Sequence, residues 1–315
     1  MNKQSGPLSV LVFVATLLAA LPAFAQVSVV TSIKPLHMIA SAITDGVSEP
    51  VLLIPSTQSY HHFALRPSNV RTLSDADLFV WVGPELESYL TGAVEAQMSG
   101  KQVLQILALP DLLVHHAGHD GEDVVHIVVP DEGLHAGHQH RAGDDIDPHV
   151  WLDTRNGRAI ARAIASSLSE ADPVNSTRYQ HNLARFEQSL SALETRLEDM
   201  LVASDSTRYA VYHDAFRYFE RQFGLQHEVV FVGSEEMQPG ARHLLALREA
   251  IDSRDINCLL EDVTSQAATV ETVIGEKDVS RIHADTTGRN LTSGASAYIQ
   301  LIDNLATAFQ QCFDR

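Results

Sequence analysis

The segment NSTRYQHNLARFEQSLSALETRLEDM, residues 175–200, decides how the chain is built. Its apolar residues Leu183, Phe186, Leu190, Leu193, Leu197 and Met200 recur at intervals of three and four, which predicts one long amphipathic helix following Asp172-Pro173. At about 1.5 Å per residue it spans about 40 Å, the dimension of a whole domain. A helix of that length serves as a rigid spine between two lobes. Too few heptads and opposed charges accompany it for a coiled coil.

Outward from the spine, both halves alternate strand-like and helix-like runs. Toward the N-terminus the strands are Val27–Thr31, Val51–Ile54, Leu78–Val82 and Val103–Ile106. Toward the C-terminus they are Tyr209–Tyr212, Glu228–Val232, Ile256–Leu260 and Ser280–Ala284, with a closing helix over Ala295–Phe309. No hairpin signal interrupts the alternation. The fold class is therefore α/β: two lobes, each with a mostly parallel sheet flanked by helices, joined by one long rigid α-helix. The expected division is a leader at 1–25, a first lobe at 26–172, the linking helix at 173–202 and a second lobe at 203–315.

The leader assignment comes from Lys3, the apolar run Leu8–Leu21 and Ala23-Phe24-Ala25, the plan of a cleaved secretory signal. A run of fourteen residues is too short to cross a hydrocarbon core of about 30 Å. No Cys follows the run, so no lipid anchor is expected, and the mature chain should be exported and soluble. The only two Cys, Cys258 and Cys312, are read as one disulfide in an oxidising compartment, with two buried thiols as the alternative.

Composition narrows the partners. The 315 residues carry a net charge of −18, which opposes nucleic acid and anionic membranes and favours a cation. Sixteen His are an excess that points to metal chemistry. Seven of them fall in a Gly-rich and acidic stretch at about 115–147, including His115, His116, His119, His135, His138 and His140. Imidazoles at such short separations chelate without a preformed fold, so this loop is expected to hold weaker secondary metal.

Four other places set a candidate ligand after an expected strand, where open α/β sheets form their crevices. They are His61-His62-Phe63-Ala64-Leu65-Arg66-Pro67, Asp147-Pro148-His149-Val150-Trp151-Leu152-Asp153, Val211-Tyr212-His213-Asp214-Ala215-Phe216 and His283-Ala284-Asp285-Thr286-Thr287-Gly288. Each alone has an ordinary structural explanation, from surface His to capping carboxylate.

Taken in order, these four segments, the His-rich insertion, the linking helix and the Cys pair resemble the solute-binding components of zinc and manganese ABC importers, in their ZnuA-type periplasmic zinc-uptake branch. The resemblance covers essentially the whole mature chain. It implies that His61, His149 and His213 bind Zn2+, with Asp285 or water in the fourth place. Tyr60 stands where some zinc-binding members have a Glu ligand, and His62 is not expected to bind. Three imidazoles suit Zn2+, whereas Mn2+ prefers harder oxygen donors. The implied partners are a membrane permease and its cytoplasmic ATPase, docked transiently by a monomeric periplasmic carrier. The competing functions are manganese or another divalent metal as cargo, and a zinc hydrolase. The hydrolase is disfavoured because the segments offer no general base beside the three His.

Overall fold

The computed structural model describes residues 26–116, 125–126, 146–201, 208–233 and 239–314. The first sheet contains β1 (Val29–Thr31), β2 (Val51–Leu52), β3 (Leu78–Trp81) and β4 (Gln102–Gln105), all parallel in the order β2-β1-β3-β4. Between them run α1 (Lys34–Ile43), α2 (Pro67–Asp75), α3 (Pro84–Glu87) and α4 (Thr91–Gln97). Pro35, Pro67 and Pro84 sit at the starts of α1, α2 and α3, where the missing N–H costs nothing.

The second sheet takes an edge strand from the first half of the chain, β5 (Val125–His126). Its other strands are β6 (Tyr209–His213), β7 (Val229–Val232), β8 (Cys258–Glu261) and β9 (Ser280–His283), and the order is β5-β7-β6-β8-β9, again all parallel. The sequence reading treated the stretch around β5 as loop. A two-residue strand has no period to read, and only the free edge of β7 defines it.

α5 (Thr154–Ala171) and α6 (Ser176–Met200) connect the sheets, and α7 (Arg217–Phe223), α8 (Ala241–Ser253), α9 (Ala267–Ile274) and α10 (Ala297–Phe313) complete the second half. α6 is the expected spine. It buries Phe186, Leu190, Leu193 and Leu197, and also Tyr179 and Asn182. The Asn182 side-chain amide donates to the carbonyls of Ile43 (2.8 Å) and Asp45 (2.9 Å), closing the C-terminal end of α1 where helix carbonyls lack partners.

β6 is buried on both faces. Tyr209 and Val211 join a hydrophobic core that runs without a break from Val29, Phe79 and Trp151 to Leu260 and Phe309. Ala210 and Tyr212 enter a smaller cluster under α8 and α9 with Phe231, Leu259 and Val270. The main core is thus common to both lobes. α10 packs on α1 and α6 as well as on β8 and β9. The disulfide Cys258–Cys312 fastens α10 to β8, with the two Cα atoms 5.7 Å apart.

Candidate metal site

Three imidazoles meet between the lobes. His213 ends β6, beside the gap between β6 and β8 where the strand order of the second sheet reverses direction. His61 lies in the loop after β2. His149 does not follow a strand as expected. An isolated antiparallel bridge between His116 and Ile146 precedes it, and a 3-10 turn, Val150–Leu152, comes after. One ligand atom from each of the three His lies within 4.8 Å of the other two. The ring centroids are 5.6 Å apart for His61–His149, 5.7 Å for His61–His213 and 5.2 Å for His149–His213. Metal–nitrogen bonds of about 2.0–2.1 Å place tetrahedral donors about 3.4 Å apart, so small side-chain movements close the set on an ion.

Two carboxylates stand behind the imidazoles. His149 Nδ1 is 2.7 Å from Asp147 Oδ1, which also accepts the His149 N–H at 3.0 Å. The Nδ1–H is thereby committed to the carboxylate, and the buried Nε2, with no hydrogen-bond partner among the described residues, carries the lone pair. His213 Nδ1 faces Asp262 Oδ2 at 3.4 Å. Burial works to raise the Asp262 pKa, but the His213 imidazole and the Thr264 donors outweigh it and hold this carboxyl below its ordinary range. For His61, burial first and then the neighbouring His149, His213 and His62 push the pKa down to about 2. The His61 ring is therefore neutral and able to coordinate at neutral pH.

Aromatic side chains desolvate the cluster. The Tyr60 ring centroid lies 4.6 Å from that of His61 and 6.3 Å from that of His149, and the Trp151 centroid lies 5.4 Å from that of His149. Trp151 is held by its Nε1–H to the Thr286 carbonyl (2.9 Å), and its own carbonyl accepts the Tyr298 hydroxyl (2.7 Å). The Tyr89 hydroxyl donates to the Tyr60 carbonyl at 2.7 Å and steadies the backbone beside His61.

Asp285 stays outside the triad. Its Oδ1 accepts the Thr287 N–H and hydroxyl and the Gly288 N–H, each at 2.9 Å, and its Oδ2 accepts the Arg289 N–H at 2.7 Å. In this arrangement the carboxylate organises the turn after β9. His62 is exposed. His115 is fastened at the root of the His-rich insertion: its N–H donates to the Tyr218 hydroxyl, its carbonyl accepts the Asp147 N–H, and Arg221 meets its Nδ1 at 3.0 Å. His116 is exposed. His119, His135, His138 and His140 lie outside the described residues. Sequence reasoning missed Asp262, which follows β8 directly, and gave no role to Asp147, although it stands two residues before His149.

The family described as "Zinc-uptake complex component A periplasmic", ZnuA, matches residues 29–312. The chain belongs to the ZnuA family. A relative from Yersinia pestis, the high-affinity zinc uptake system protein ZnuA, is 32% identical over 299 residues, covering 91% of this chain and 92% of the relative. A crystal structure of ZnuA superposes with a TM-score of 0.73 at 19% identity, covering 92% of this chain and 99% of the other. The Mn2+ complex of the solute-binding protein FpvC from Pseudomonas aeruginosa gives 0.74 at 18% identity with the same coverage. These two structures show the fold alone. As a ZnuA-family member the chain is a metal-binding solute-binding protein of ABC-type uptake and not an enzyme.

Proposed function

We propose that the chain captures Zn2+ between its lobes, residues 26–172 and 203–315 about the spine 173–202, and hands it to an ABC permease driven by a cytoplasmic ATPase. It would do so as a periplasmic monomer freed of residues 1–25. The observation that carries this reading is the convergence of His61, His149 and His213 from three distant segments on one point. Three nitrogen donors favour Zn2+ over Mn2+. The name of the Yersinia pestis relative agrees, and the Mn2+ in FpvC fits a fold that leaves the choice of cargo to the donors.

The fourth coordination position is left to water or Asp285, and the hydrogen bonds that Asp285 accepts from the 287–289 backbone favour water. His61→Ala, His149→Ala and His213→Ala should each weaken zinc at least tenfold in competition with a chromogenic chelator. Asp285→Asn should change it less. Wild-type affinity in all three His variants would remove the assignment.

A further inference from the structure

Beside the triad, a cavity of about 250 Å3 opens between the lobes at the carboxyl end of β1. Lys34, Thr57 and Ser59 line it from the first lobe, and Thr264, Thr287 and Arg289 from the second. Among the described residues, its charged lining residues are Lys34 and Arg289, both cations, in a chain of net charge −18. Lys34 Nζ donates to Ser293 Oγ (2.8 Å) and the Arg289 guanidinium to the Thr57 carbonyl (2.8 Å), so each binds a neutral acceptor and keeps further N–H groups. Neither forms an ion pair among the described residues, whereas Arg158, Arg208, Arg254 and Arg281 are each matched to a carboxylate. Burial pushes the Lys34 pKa down, the mark of a cation losing water without gaining an acid.

We propose that this cavity binds a small multivalent oxyanion, inorganic phosphate being the simplest, and that the bound anion ties the two lobes together. A guanidinium fork engages two oxygens of such an anion, an ammonium supplies a point charge opposite, and the Thr57 hydroxyl can donate to a further oxygen, while the Thr264 and Thr287 hydroxyls already donate to Asp262 and Asp285. The volume is below that of drug-sized sites, roughly 300–1,000 Å3, and suits an anion of few heavy atoms. Because Lys34 belongs to the first lobe and Arg289 to the second, the anion binds the closed arrangement better than an open one. By linkage it then slows escape of the cation next to it. Only this second half depends on the proposed metal site.

Calorimetric titration of the metal-free full chain with phosphate should give one saturable site. The Lys34→Gln/Arg289→Gln double variant should bind at least tenfold more weakly, and Lys101→Gln, at an exposed lysine before β4 that does not line the cavity, should match the wild type. Parallel titrations with citrate and acetate separate a phosphate preference from a polycarboxylate preference, with monovalent acetate expected to fail. Arg289→Lys, which keeps the charge, and a thermal unfolding scan of every variant guard against misfolding. Absence of saturable binding by phosphate and citrate, or undiminished binding in a folded double variant, overturns the site. On zinc-loaded protein, phosphate should slow metal release to excess chelator at least threefold in the wild type and not in the double variant. An unchanged rate in the wild type overturns the tie between lobes. Failure of the metal reading would look different, since zinc would then be lost rapidly with or without anion.

Discussion

An imidazole that gives its Nδ1–H to a carboxylate has its ring orientation fixed and its Nε2 made more basic. His149 has this from Asp147, and His213 has Asp262 in the corresponding place. Asp147→Asn and Asp262→Asn should therefore weaken zinc roughly 10–100-fold with the ligands intact. Chelator competition measures it, and unchanged affinity in both would show that packing alone aims the rings. The ligands were legible because each stands in a distinctive local segment. Asp262 was not, since its meaning comes from β8 lying beside β6, which no spacing reveals. A second buried group titrates in the opposite sense to His61. Burial works against charge on His227, but Glu220 at 2.9 Å outweighs it and the His227 pKa is raised. Its contribution to stability is complete below the unfolded value of about 6.5 and is lost as pH climbs through the raised folded value. His227→Gln should then cost more stability at pH 6 than at pH 9, and denaturant melts giving equal costs would contradict the charged pair.

At the scale of elements, the crossing of α5 and α10 decides how firmly the His149 segment is held. A Cβ at Gly157 would meet the Tyr298 hydroxyl at 2.3 Å and its ring at 2.6 Å, and Tyr298 is fully buried. Gly157→Ala gains about 1 kcal/mol of helix propensity but forces an overpacking cost of roughly 1–3 kcal/mol, so the expected net is loss. The same shift moves the carbonyl of Trp151 that Tyr298 holds, so zinc affinity should fall with the melting temperature. A stabilised variant with native affinity would refute the close crossing. Element positions were well marked in the sequence: α6 was expected at 175–200 and occupies Ser176–Met200. α4 went unread because Thr91–Gln97 buries only Val94 and shows no stripe. His149 follows only an isolated bridge, His116 with Ile146, and precedes a 3-10 turn, neither of which has a periodic signature to read.

Across the whole molecule, one core continues beneath both lobes, and α10 returns from the second sheet to pack on α1. Wide hinge opening would tear this core, so a small relative movement of the lobes is the expected route for exchange of the cation. The Cys258–Cys312 bridge fastens the returning helix to β8, whose following residues include Asp262. Replacing both cysteines by Ala should lower stability by about 2–4 kcal/mol in chemical denaturation while leaving zinc affinity within threefold. A large loss of affinity with little loss of stability would mean that the bridge serves the site directly. The three ligands come from segments widely separated along the chain. Gathering them in an unfolded chain would close two long loops, an entropy cost that one ion and three imidazoles must meet before any sheet exists to share it. On this ground folding is expected to come first and loading second, with the ion drawn from whatever solution surrounds the finished protein.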